Sequence, residues 1–131
     1  MESGQDKYTY HLQSILDPER LQMLARSNLL DSAAEEAFDR FTKLAAMILD
    51  TPVSQVSLVD KDRQYLKSYF GLAEQKISQR ETPLSHSFCQ YVVSSREPLI
   101  VTDAREDALL KDNLAIPGQG VIAYLGFPLQ V

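Results

Sequence analysis

The chain carries one cysteine, Cys89, so an intramolecular disulfide is excluded. His11 and His86 are its only histidines, and no spacing among them and Cys89 suggests a metal cage. No apolar run is long enough to cross a bilayer, and the opening MESGQDKYTYHLQ is polar where a secretory signal has an apolar core. Membrane insertion is therefore not expected, and a cytoplasmic location is the default. Basic residues are neither in excess nor clustered: 13 Lys and Arg against 18 Asp and Glu give a formal charge of −5. The electrostatic footprint of a nucleic-acid binder is missing. Internal repeats and low-complexity tracts are absent as well. What is present is 131 residues, 44% of them hydrophobic, enough for the core of one domain and too few for two.

Residues 1–16 show no clear periodicity and read as a lead-in or linker, leaving 17–131 as a single domain. Asp17-Pro18 has the N-cap and first-turn chemistry of a helix start, and Leu21, Leu24 and Ala25 then share a face. Asn28 to Asp31 ends that helix. Ser32 and Glu35 have capping-box spacing ahead of a stripe made by Phe38, Phe41, Ala45, Ile48 and Leu49. Asp50-Thr51-Pro52 stops this second helix. Alternating and β-branched residues from Val53 to Val59 predict a strand, which the polar turn Asp60 to Arg63 joins to a second strand, Gln64 to Phe70, in an antiparallel hairpin. Gly71 closes it. A loop over 72–83, a helix over Leu84–Val93, a strand Leu99–Val101, a short helix Arg105–Asn113, a break at Pro117 to Gly120 and a final strand Val121–Val131 complete the expected order.

Several of these segments together resemble a known family. They are FDRFTKLAAMIL from Phe38, PVSQVSLVD from Pro52, DRQYLKS from Asp62, SHSFCQYVV from Ser85 and GFPL from Gly126. In that order and spacing they resemble the GAF domain, a small-molecule sensor module, over about Leu24 to Val131. The resemblance implies an α/β (α+β) fold with a GAF/PAS-like antiparallel sheet and helices on both faces. It also implies that a final strand or strands and a C-terminal helix are missing, so that open sheet edges would seek a partner and favour a homodimer or strand exchange. The implied role is regulatory: an unknown small molecule is sensed, and an output domain outside this chain, such as a histidine kinase or a cyclic-di-nucleotide enzyme, responds. A ligand-free dimerisation or interaction module is the first alternative and a bilin-binding photoreceptor domain the second.

In this fold the ligand would lie between the sheet and the segments Ser85–Val93 and Asp103–Ile116. Phe88, Cys89 and Val92 would form apolar walls, Val101 and Tyr124 would come from the sheet, and Asp103 and Asn113 would supply polar contacts. The competing reading is that the apolar members fill the core and that Asp103 caps the segment after it. No catalytic residue is assigned. Cys89 follows His86 by three positions, as a nucleophile and base might, but nothing is placed to orient His86, and Cys89 falls beyond the first turn of the expected helix. Bilin-binding relatives commonly carry a Cys immediately before a His, where this chain has Ser85. Methionine-sulfoxide reductases of similar fold use several cysteines. The cofactor is left open.

Overall fold

The computed structural model describes residues 4–73 and 80–129, with side chains from Thr9 onward. The elements in order are α1 (Gly4–Ile15), α2 (Pro18–Arg26), α3 (Glu36–Leu49), β1 (Ser54–Val59), β2 (Arg63–Phe70), β3 (Glu81–Pro83), a 3₁₀ turn (Leu84–His86), α4 (Cys89–Ser95), β4 (Leu99–Val101), a second 3₁₀ turn (Ala104–Glu106), α5 (Ala115–Gln119) and β5 (Tyr124–Gly126). The strands form two antiparallel sheets, β1-β2-β3 and β4-β5, and no described strand joins them. The expected α+β architecture is present, divided into two small sheets.

Residues 4–15, expected to lack pattern, are helical. Two anchors hold α1 instead of a broad stripe, which is why no period is visible. Ile15 is fully buried, and His11 bonds to Ser94 and Gln90 of α4 at 2.7 and 3.1 Å while stacking on Tyr91. Helix α2 opens as expected, with the Asp17 carboxylate accepting from the Glu19 N–H at 3.3 Å ahead of Pro18. From its first turn Arg20 donates to the carbonyls of Ser14, Ile15 and Val59, tying α1 and α2 to the end of β1. Partial burial lowers the pKa of Arg20 below its ordinary value.

Helix α3 turns differently from expectation. Its buried side is centred on Thr42 and Ala46, with Phe38 and Ala45 partly covered, while Phe41, Ile48 and Leu49 face outward. The reason lies in β2. Val56 is opposite Ser68 and Ser57 opposite Leu66, so Lys67 is an extra residue and the strand bulges there. The bulge brings the side chains of both Lys67 and Ser68 to α3. The Ser68 hydroxyl donates to the Asp39 carboxylate at 2.7 Å and meets Thr42 Oγ1 at 2.9 Å. Small and polar residues on α3 therefore match the sheet better than Phe41 or Ile48 would.

The expected capping box is also replaced. Glu35 precedes α3 without a side-chain cap, and its carboxylate pairs with Lys67 Nζ at 2.5 Å. The same ammonium, with no exposed surface, donates to Ser32 Oγ and to the Ala33 carbonyl, both at 2.7 Å. Tyr65 OH donates to the Ser32 carbonyl at 2.5 Å, and Arg63 bonds Asp31, Asp60 and Glu81. Three alternate residues of β2 thus fasten the connection between α2 and α3. A buried charge is tolerated because its three hydrogens are all used.

Strands β1 and β2 form the expected antiparallel hairpin, closed by Asp60 N–H to the Arg63 carbonyl at 2.8 Å. Gly71 has φ 83°, and a Cβ there would lie 1.9 Å from the Pro52 carbonyl oxygen, so only glycine fits. Of the expected loop 72–83, residues 74–79 lie outside the described residues, and 81–83 form β3 against β2. The segment expected as a helix over 105–113 is a 3₁₀ turn followed by turns. Asp107 holds them by accepting from the Leu109 and Leu110 amides. The break expected at Pro117 to Gly120 falls inside α5, which ends at Gly120 with φ 69°. The last strand is confined to Tyr124–Gly126 within the expected 121–131, of which 130 and 131 lie outside the described residues.

Candidate functional site at the junction of the two sheets

Helix α4 stands between the two sheets, and its start differs from expectation. The run Leu84–Val93 is not one helix. A 3₁₀ turn ends at His86, Ser87 is extended, and α4 begins at Cys89. Ser87 and Gln90 explain the break. Ser87 Oγ accepts from the Gln90 N–H at 3.2 Å, and the Gln90 amide returns to the carbonyls of Leu84 and Ser87 at 2.5 and 2.8 Å. The pair has S-x-x-Q spacing, but the Gln90 amide donates to carbonyls where the side chain of a capping box accepts from the N-cap N–H. Cys89 is consequently the first residue of its helix, where the expectation put it beyond the first turn. His86 is not its partner: the His86 ring meets Ser85 Oγ at 3.1 Å and lies against Gly118, whose missing Cβ leaves it room.

Cys89 faces both sheets. Tyr124 OH of β5 donates to Cys89 Sγ at 3.2 Å, and Gln55 Nε2 of β1 donates to the same sulfur at 3.6 Å. Gln55 also donates to Ser57 Oγ at 2.8 Å on the same face of β1. Burial drives the Tyr124 phenol far above its ordinary pKa, and the adjacent thiol adds to the shift. The phenol is therefore a neutral donor at any physiological pH.

A second polar chain lies alongside. Ser87 Oγ donates to Gln64 Oε1 of β2 at 2.6 Å, Gln64 Nε2 donates to Thr82 of β3, and Asn113 Nδ2 donates to the Ser87 carbonyl at 3.0 Å. Asn113 Oδ1 accepts from the Ala115 amide, and Leu114 N–H donates to the Ser85 carbonyl at 3.0 Å. The segment 103–119 is thereby fastened to the residues that lead into α4. Every buried side-chain nitrogen and oxygen among the described residues has a partner.

The predicted site residues occupy three settings. Phe88 and Val101 are buried in an apolar cluster with Ala104, Leu110 and Ala115, against which Tyr124 packs. The Phe88 and Tyr124 rings meet edge to face at 5.3 Å. Val92 is buried, and Cys89 is half-buried at the junction. Asp103 and Asn113 are each engaged in local hydrogen bonds. Asp103 accepts from the Arg105 amide at 3.0 Å and from its guanidinium at 2.7 and 2.9 Å, which lowers its pKa. Asn113 lines a groove of about 450 Å³ with Leu84, Tyr91, Leu109 and Leu114. Gln55, Ser57, Gln64, Ser87 and Gln90 were not anticipated. The S-x-x-Q spacing and the polar alternation at 55 and 57 were the readable signals for four of them.

The comparisons with known proteins agree with this architecture. The GAF domain family model matches residues 30–131. The chain is 32% identical over 102 residues to the cyclic di-GMP phosphodiesterase PA2567 of Pseudomonas aeruginosa, a match covering 77% of this chain and 16% of that protein. The chain thus spans about a sixth of the length of this relative. Among the described residues no helix is long and apolar enough to cross a membrane, and no cluster of His, Cys, Asp and Glu could hold a metal. Sequence order, fold and family match converge: the chain belongs to the GAF domain family of regulatory signalling modules.

Proposed function

We propose that this GAF domain senses a small molecule at the junction around α4 and passes the change to an output domain beyond this chain. One observation carries the reading: Gln55 and Tyr124, from two sheets that do not pair with each other, both donate to the sulfur of Cys89. A ligand offering its own acceptors to these donors would release one sheet from the other. The polar groups Ser57, Gln64 and Asn113 would then line the widened space, with Phe88, Val92 and Val101 as its apolar wall. Such a ligand shifts a population in proportion to its differential affinity for the two arrangements. Helix α1 is in position to report the shift, because His11 bonds directly to α4.

The output is proposed by likeness to be a cyclic-di-nucleotide enzyme, since the relative is a cyclic di-GMP phosphodiesterase; a histidine kinase is the other candidate. In this reading the domain works in the cytoplasm. Native mass spectrometry of freshly purified protein tests the sensing role. A reproducible retained mass, reduced in Gln55→Leu and Tyr124→Phe, is expected. A bare chain that also gains no thermal stability from a metabolite panel would remove it.

A second reading, a dimerisation module, is favoured by apolar surface that nothing among the described residues covers, and by the free edges of β1 and β5.

A further inference from the structure

Two faces of α4 are turned to different neighbours. Cys89 meets β1 and β5, whereas Gln90, Tyr91 and Ser94 meet the ring of His11 from α1. That ring is seated as a ligand would be. It stacks on Tyr91 with the centroids 4.8 Å apart, and its two nitrogens reach Gln90 Oε1 at 3.1 Å and Ser94 Oγ at 2.7 Å. Both polar partners are only 8% exposed. The Gln90 amide is fixed in orientation, because its nitrogen already donates to the carbonyls of Leu84 and Ser87. Its oxygen therefore requires an N–H from whatever lies against it, while the Ser94 hydroxyl gives or takes a hydrogen. Gln90 and Tyr91 also line the groove of about 450 Å³, whose apolar walls are Leu84, Leu109 and Leu114. Asp112 is the only charged side chain among the described residues of that lining.

We propose that this face of α4 is a second binding site, for a flat nitrogen heteroaromatic molecule with an imidazole edge, and that His11 is its built-in competitor. An incoming ring that stacks on Tyr91, donates to Gln90 and meets Ser94 replaces every contact described for the His11 ring. A fused ring gains more, since its body enters a groove that His11 itself does not line. Asp112 on the rim favours a neutral or amino-bearing ring over one that carries phosphate. Binding displaces His11 and so loosens α1, whose other anchor is Ile15. The site is competent only while α1 is undocked, so a docked fraction of about nine-tenths weakens the ligand about tenfold. It lies on a different face of α4 from Cys89, and either site stands or falls without the other.

The test is isothermal titration calorimetry of benzimidazole into the 131-residue chain and into His11→Ala, which removes the ring and keeps a good helix former. N-methylbenzimidazole, which retains the flat rings and has no N–H, is the matched control. The expected dissociation constant for benzimidazole is at least about tenfold lower in His11→Ala than in wild type. In that variant the methylated probe is expected to bind at least about tenfold more weakly, because it leaves Gln90 Oε1 unmet. No binding to a His11→Ala chain that circular dichroism shows to be folded overturns the site. Equal affinity in wild type and His11→Ala overturns the competition, and equal affinity of the two probes overturns the imidazole edge. Should His11→Ala lose its fold, hydrogen exchange of the wild-type chain decides. Saturating benzimidazole is expected to speed exchange in residues 4–15, and unchanged exchange overturns the proposal. Sensing around Cys89 is read separately, by the retained mass in Gln55→Leu and Tyr124→Phe.

Discussion

The two sheets of this domain are built on different physics. The interior of the β1-β2-β3 half mixes buried apolar residues, Ile15, Ala46, Val56, Val59, Tyr65 and Leu66, with buried polar ones, Lys67, Ser68, Thr42, Gln64 and Ser87, each of which is held by directional bonds. The β4-β5 half, with the segment 103–119, is short in regular structure and depends on an apolar cluster of Phe88, Val101, Ala104, Leu110 and Ala115. Directional bonds fix register and orientation, whereas apolar contacts tolerate sliding at lower cost. The difference suits a module in which one half is a frame and the other moves. The start of α4 belongs to both: Phe88, just before the helix, enters the apolar cluster, while Ser87 and Cys89 join the polar groups.

The largest effect that would sharpen this contrast is expected for Phe88→Ala, at about 3–5 kcal/mol of stability by urea denaturation, because it removes the ring that joins the cluster to Tyr124. Lys67→Met keeps much of the volume but strands the Ala33 carbonyl and Glu35. Its cost is expected at about 1–3 kcal/mol, and a larger loss than that of Phe88→Ala would reverse the assignment of where stability resides. Tyr124→Phe is expected to cost about 1 kcal/mol and to change alkaline behaviour. The Tyr124 phenol has a raised pKa in the folded state, so its contribution is complete below the unfolded value near 10 and is lost as pH rises above it. The phenylalanine variant should unfold at a higher pH than wild type. Smallest is the acid side. Arg63 and Arg105 lower the pKa values of Asp31, which is exposed, and Asp103, which is partly covered, so their contribution is present above about pH 4 and fades as pH falls further. Asp103→Asn should flatten that slope slightly in thermal melts between about pH 5 and pH 2.

Much of the frame was legible in the sequence. Asp17-Pro18, the hairpin from Val53 to Phe70 and Gly71 each act through local backbone chemistry, which a linear reading captures. The rotation of α3 was not legible, because it follows from a bulge at Lys67 that only the pairing of β1 with β2 creates. The capping box at Ser32 and Glu35 was misplaced for a related reason: both side chains are claimed by Lys67, 32 residues or more away in sequence. The S-x-x-Q pair at Ser87 and Gln90, which ties the turn before α4, had an equally plain signature and was missed within an apolar run. In the candidate site, the apolar residues were recognisable by pattern. The convergence of Gln55 and Tyr124 on Cys89 was not, since it joins three separate elements.

The central claim is that the β4-β5 half with the segment 103–119 opens independently of the β1-β2-β3 frame, pivoting where both meet Cys89. Native-state hydrogen exchange measured by mass spectrometry tests it most directly. The account predicts that amides of residues 99–126 exchange together through an opening of lower free energy than those of 54–70, and that Tyr124→Phe lowers the first without altering the second. Uniform protection of both segments, falling in parallel in the variant, would show one cooperative unit and contradict it.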